Sequence, residues 1–130
     1  MIGKQVEKNI KVDLNEIDEL GHVNNINYLK WVQSVADDHW KTISNLLIDD
    51  KIIWVVLRHE IDYFESAVEN DSILLKTYIG ETYGVKSERF VEMFKEGRLI
   101  AKSKTIWCLL DKKTQKPLRI SKEILAVLYE

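Results

Sequence analysis

The chain has 130 residues, 45% hydrophobic and 31% charged, with 19 basic side chains against 21 acidic ones. That balance predicts one globular domain over residues 1–130 and excludes a disordered chain. It also argues against a dedicated nucleic-acid binder, which needs a basic excess. The single cysteine, Cys108, excludes an intrachain disulfide.

The first twelve residues, MIGKQVEKNIKV, hold no long apolar stretch of the kind a signal peptide needs. The longest apolar run, IIWVVL at residues 52–57, is far shorter than a membrane span. A cytoplasmic protein with no membrane span is the expectation. Ile10, Val12 and Leu14 alternate with polar residues, which predicts a half-buried strand within residues 6–14.

The period then changes. From Tyr28, through Trp31, Val32, Val35, Ala36, His39, Trp40, Ile43 and Leu46 to Leu47, spacings of three and four predict a long amphipathic helix over residues 28–47. His39 falls on the apolar stripe, where a core histidine is the ordinary explanation. Four strands should follow, over residues 52–64, 72–83, 85–95 and 99–110, with a hairpin turn at KEGR, residues 95–98. On the last but one, Phe90 and Phe94 should face opposite to Val91 and Met93. Cys108, inside TIWCLL with no base beside it, reads as a buried, inert thiol. A short helix over residues 121–129 closes the chain. The order of elements predicts an α+β fold in which a curved antiparallel sheet of about five strands wraps one long central helix. Such a sheet has open edges, and pairing with a second subunit would cover them.

The helix head is unusually polar: DELGHVNNINYLKW, residues 18–31. Gly21 should make a tight turn, through positive φ or close approach of a ligand. Asn24 and Asn25 stand where the helix begins, and asparagine is a favoured N-cap.

This segment, with the helix and strands after it, resembles the hotdog-fold thioesterases, most of all the 4-hydroxybenzoyl-CoA thioesterase group. It is also similar to the D-x-N-x-H-V-N-N-x-x-Y segment of plant acyl-carrier-protein thioesterases. Asp18, Gly21, His22, Val23, Asn24, Asn25, Asn27, Tyr28 and Trp31 carry the likeness. The resemblance implies hydrolysis of an acyl-CoA thioester, with Asp18 as general base or nucleophile. It implies that the Asn25 backbone N–H polarises the carbonyl, as free amides at a helix N-terminus do. His22 would orient Asp18, hold water or fill the turn. The asparagine two before the plant histidine is Leu20 here, which leaves Asp18 as the better catalytic candidate. Asn24 would sit beside the substrate as the helix cap, and Tyr28 would line the acyl pocket; Trp31 reads as core.

Hotdog active sites lie at a subunit interface, so the implied assembly is a homodimer or a dimer of dimers. His59, or Arg58 beside it, would then contact substrate from the second strand, against the plainer reading of a solvated strand face. Ser87 and Arg89 occupy a strand position that borders the pantetheine channel in relatives, and Arg89 would meet a CoA phosphate. No cofactor is expected, CoA being part of the substrate. The alternatives are an acyl-carrier-protein substrate or a non-catalytic acyl- or CoA-binding module. A dehydratase reading lacks its D-x-N-P-x-H or H-F-P segment. There is no G-x-S-x-G elbow, no zinc spacing among His22, His39 and His59, and no G-x-G-x-x-G or Walker motif.

Overall fold

The structure, a computed structural model, describes residues 2–130. Its elements in chain order are strand β1 (Gln5–Lys11), helix α1 (Asn25–Ile43), the one-turn helix α2 (Leu46–Asp49), strands β2 (Ile52–Tyr63), β3 (Ser72–Tyr83), β4 (Lys86–Lys95) and β5 (Arg98–Asp111), and helix α3 (Lys122–Tyr129). A single 3₁₀ turn, Leu14–Glu16, precedes α1. The five strands form one antiparallel sheet in the order β1-β3-β4-β5-β2, which makes β1 and β2 its edges. This is the expected α+β hotdog architecture.

Alternation sets which face of the sheet is inward. Ile73, Leu75, Thr77 and Ile79 of β3 are buried, as are Val91 and Met93 of β4, while Phe90 and Phe94 lie on the other face. The stripe of α1, made of Tyr28, Trp31, Val32, Val35, Ala36 and His39, closes over them. A fully buried valine or leucine stabilises such a contact by about 1.5–3 kcal/mol. Two apolar clusters result. One gathers Val12, Tyr28, Val32, Val35, Ile73, Leu75, Val91 and Met93 under the first half of α1. The other gathers Ile52, Ile79, Leu109, Ile124 and Leu128 near α3.

The sheet bends through three register shifts, at Val56/Arg58, Ile79/Thr82 and Met93/Phe94, because an extra residue kinks and twists its strand. The β4–β5 hairpin turns through Glu96 (φ 50°) and Gly97 (φ 79°). Two successive left-handed residues are the geometry that matches the twist of the flanking strands.

Two boundaries differ from the sequence reading. The first strand, expected within residues 6–14, ends at Lys11, and Leu14 lies exposed in the 3₁₀ turn. The predicted helix over 28–47 begins earlier, at Asn25, and stops at Ile43, although the apolar spacing runs on. Ser44 is the C-cap, and the Asn45 side chain accepts from the Ile48 N–H at 3.1 Å, so the chain restarts as α2. Short polar side chains that bond nearby backbone favour caps over helix interiors. Asp49 ties the junction, accepting from the Trp40 indole at 2.8 Å and the Ser44 hydroxyl at 3.1 Å. Cys108 is buried, as expected.

Candidate active site

The loop before α1 is organised by its own side chains. The Asp18 N–H donates to the His22 carbonyl at 2.7 Å, and the Gly21 N–H donates back to the Asp18 carbonyl at 3.1 Å. Within this turn the Asp18 Oδ1 accepts from the Leu20 N–H at 2.8 Å and the His22 N–H at 3.1 Å. The second carboxylate oxygen, Oδ2, has no hydrogen bond among the described residues. Asp18 is exposed. Its position is fixed, and one oxygen remains for chemistry.

Gly21 makes this possible at φ 79°, and a Cβ placed there would meet nothing within 4 Å. The requirement is therefore backbone strain alone, about 1–2 kcal/mol for an ordinary L residue in the left-handed region. Asparagine tolerates that region and a β-branched residue does not. Gly21→Asn is accordingly expected to keep most of the activity of the parent, and Gly21→Val to lose it together with several degrees of Tm. Equal activity of the two variants would show that the turn does not position the site.

Asn24 is the N-cap of α1, accepting from the Ile26 N–H at 3.0 Å. Asn25 is the first helical residue. Its backbone N–H has no protein acceptor among the described residues, and it stands at the positive end of the helix dipole. His22 lies next in the loop, bridged to Val68, with Nδ1 3.5 Å from the Ser66 hydroxyl. Tyr28 is buried: its hydroxyl accepts from the Ala67 N–H at 3.1 Å, and its ring stands edge-on to Trp31 and Tyr63. Burial pushes its phenol above the usual range. Asp18, His22, Asn24, Asn25 and Tyr28 are thus brought together at one helix head, closed by the β2–β3 connection.

Glu16 is the residue that sequence reading missed. Its carboxylate accepts from the Asp13 N–H at 2.8 Å and the Trp31 indole at 2.9 Å, and its carbonyl from the Asn24 N–H at 2.8 Å. It pins the loop to the first turns of α1. No single-residue signal distinguishes it from Asp13 or Glu19.

The other expected site residues lie elsewhere in the chain. His59 faces inward in the middle of β2, with Nδ1 2.8 Å from the Thr105 hydroxyl and Nε2 3.3 Å from the Gln33 amide. Burial lowers its pKa. The solvated strand face weighed for it is not what the structure has. Arg58 beside it is exposed and paired with Glu60 at 2.7 Å. Ser87 and Arg89 are buried beneath α1. The Ser87 hydroxyl shares a 2.8 Å hydrogen bond with Thr82. The Arg89 Nη1 donates to His39 Nδ1 at 2.9 Å and Thr77 Oγ1 at 3.1 Å. The expected meeting of Arg89 with a CoA phosphate does not fit this burial. The side chain points into the layer between helix and sheet because its strand position shares the inward face with Ser87 and Val91.

A five-stranded antiparallel sheet around one long helix is the hotdog architecture. The thioesterase-like superfamily model matches residues 12–128, and the chain belongs to that superfamily. Its reaction class is thioester hydrolysis. A DHNA-CoA thioesterase from Staphylococcus aureus is similar in structure at TM-score 0.82 and 21% identity, over 94% of this chain and 85% of that one. A probable thioesterase from Escherichia coli, YbaW, superposes at TM-score 0.82 and 24% identity, over 93% of this chain and 94% of that one. A hypothetical protein from Aquifex aeolicus does so at TM-score 0.85 and 21% identity, over 95% and 98%. No curated protein matches the sequence.

Proposed function

We propose that this chain hydrolyses an acyl-CoA thioester to the free acid and CoA at the head of α1. The observation that carries this reading is the Asp18 carboxylate, held through Oδ1 by two backbone amides with Oδ2 left unengaged, in the same loop as the free Asn25 N–H. Oδ2 attacks the thioester carbon itself or takes the proton of an attacking water. The carbonyl oxygen gains negative charge as the new bond forms, and the Asn25 N–H at the helix N-terminus stabilises it. The CoA thiolate then leaves and takes up a proton; where Oδ2 is the nucleophile, water next hydrolyses the acyl-aspartyl anhydride, which releases the acid and restores Asp18. His22, beside Ser66, steadies the turn that carries Asp18.

A second copy of the chain completes the site in this reading, as a homodimer or a dimer of dimers. The helix head is rimmed by exposed apolar side chains: Leu20, Ile26, Tyr63, Phe64 and Val68. Beside it runs the open edge of β2. Closure by a partner would exclude water from an otherwise exposed carboxylate and sharpen its electrostatics.

The test is release of free thiol from a panel running from acetyl-CoA through palmitoyl-CoA, with benzoyl-CoA. Turnover on one or more members is expected. Activity confined to acyl-carrier-protein substrates would replace CoA as the carrier. Thermal stabilisation by CoA with no turnover on either carrier would make the chain a binding module and sink the proposal.

A further inference from the structure

Beneath the second half of α1 lies a cavity of about 210 Å³, walled by Ala36 and Trp40 of α1, Ile52 and Trp54 of β2, Trp107 of β5 and Leu128 of α3, with Arg89 at its polar end. Its wall is mostly apolar, with Ser87, Arg89 and Asp37 as its non-aromatic polar side chains. Arg89 is only 7% exposed. The partners of its guanidinium are a hydroxyl and an imidazole, and among the described residues no carboxylate pairs with it. His39 is held neutral, its pKa lowered to about 4 by burial and by Arg89 itself, so it accepts the Nη1 hydrogen bond without cancelling the charge. A buried ion without a counter-charge costs several kcal/mol. Asp37, the one acid in the wall, is exposed and paired with Lys41 at 2.9 Å.

We propose that this cavity binds a small apolar carboxylic acid, whose carboxylate pairs with Arg89 while its apolar body packs among the tryptophan rings. The size fits: an apolar cavity of about 150 Å³ holds benzene, and the extra volume here admits a carboxylate. A bidentate carboxylate is the natural ligand of a guanidinium fork. The site is not the helix head of the same chain, because His39, the helix residue beside Arg89, lies about 21 Å along α1 from Asn25 at roughly 1.5 Å per residue. The binding claim does not rest on the proposed reaction. If that reaction holds, the acid it releases has this chemistry and would occupy the site as product.

Tryptophan emission reads the site directly, because three of the four tryptophans in the chain line it or wall it: Trp40, Trp54 and Trp107. The full chain would be titrated at neutral pH with benzoate and with octanoate, and with benzamide as the neutral isostere of benzoate. At least one acid should give a saturable change. Benzamide, and either acid with Arg89→Met, should bind at least about ten-fold more weakly, or roughly 1.4 kcal/mol. Asp18→Asn should bind the acid as the parent does. Benzamide binding as tightly as benzoate, unaltered affinity in Arg89→Met, loss of binding in Asp18→Asn, or no saturable change with either acid would each overturn the proposal. Should Arg89→Met fail to fold, the benzoate and benzamide titrations of the parent chain decide alone, and equal affinity for the two overturns the proposal.

Discussion

Asp18→Asn is expected to lower kcat for the preferred thioester by a hundredfold or more, about 2.7 kcal/mol of barrier, with little change in KM or Tm. The reason lies in the two jobs of the carboxylate. Oδ1 holds the turn by accepting from the Leu20 and His22 N–H groups, and an asparagine oxygen can accept the same two bonds. The fold of the loop is therefore retained. Oδ2 supplies the negative charge for attack or proton removal, and an amide nitrogen in its place can do neither. Asp18→Ala differs: it also removes the turn bonds, and it should cost about 1 kcal/mol of stability besides the activity. Steady-state kinetics and thermal melts of parent, Asn and Ala variants side by side make the comparison. If Asp18→Asn turns over at the parental rate, the carboxylate is a turn former only and the base must be sought elsewhere. A single turnover in oxygen-18 water tests the nucleophilic role, for which an unlabelled first product is diagnostic. Water attacking an aspartyl anhydride at the Asp18 carbon leaves the first molecule of product unlabelled, whereas direct attack of activated water labels it.

The parts of this site that were legible in the sequence are those where local chemistry leaves no alternative. A glycine three residues after an aspartate, followed by two asparagines and a strong helical stripe, describes a turn feeding an N-cap. The structure has Gly21 at φ 79° and Asn24 as that cap. Alternation likewise fixed the faces of β3 and β4, since an inward polar residue would need a partner. What was not legible depends on partners distant in sequence. Helix periodicity ran past Ile43 because Leu46 and Leu47 continue the apolar spacing, while the stop is made by polar caps at Ser44 and Asn45 that the stripe does not record. The extra residue in β2 slips the alternation, so that Leu57 ends 53% exposed although it sits in the most apolar run of the chain. The resemblance implies that Arg89 meets a CoA phosphate, and nothing in the local sequence marks it as buried. Its burial follows from strand register: it stands across from Ile79 on one side and Thr105 on the other, with Thr105 in turn opposite His59. A polar row thus crosses the inner sheet under α1, and its members satisfy one another only in three dimensions.

That row makes stability depend on pH near neutrality. His39 is 4% exposed, and burial and the adjacent Arg89 lower its pKa from 6.5 to about 4, with Lys4 adding to the same effect. The folded protein therefore keeps His39 unprotonated through a range in which the unfolded chain protonates it. The unfolded state binds more protons there, so stability rises with pH. The contribution is complete above pH 6.5 and is lost as pH falls toward 4, at about 1.4 kcal/mol per pH unit. Between pH 7 and pH 5, above the range of ordinary carboxylates, the expected loss from this one side chain is about 2 kcal/mol. His59 has a pKa lowered by burial as well and contributes with the same sign. His39→Gln isolates the larger share: its amide oxygen can still accept from Arg89, but it carries no proton to titrate. Urea unfolding at pH 7, 6 and 5 should show a steep decline for the parent and a distinctly flatter one for the variant, whatever the absolute stability of each. Parallel declines would mean that His39 does not stay neutral in the fold. The imidazole resonances then decide independently, since His39 in the folded protein should show no titration step between pH 7 and pH 5.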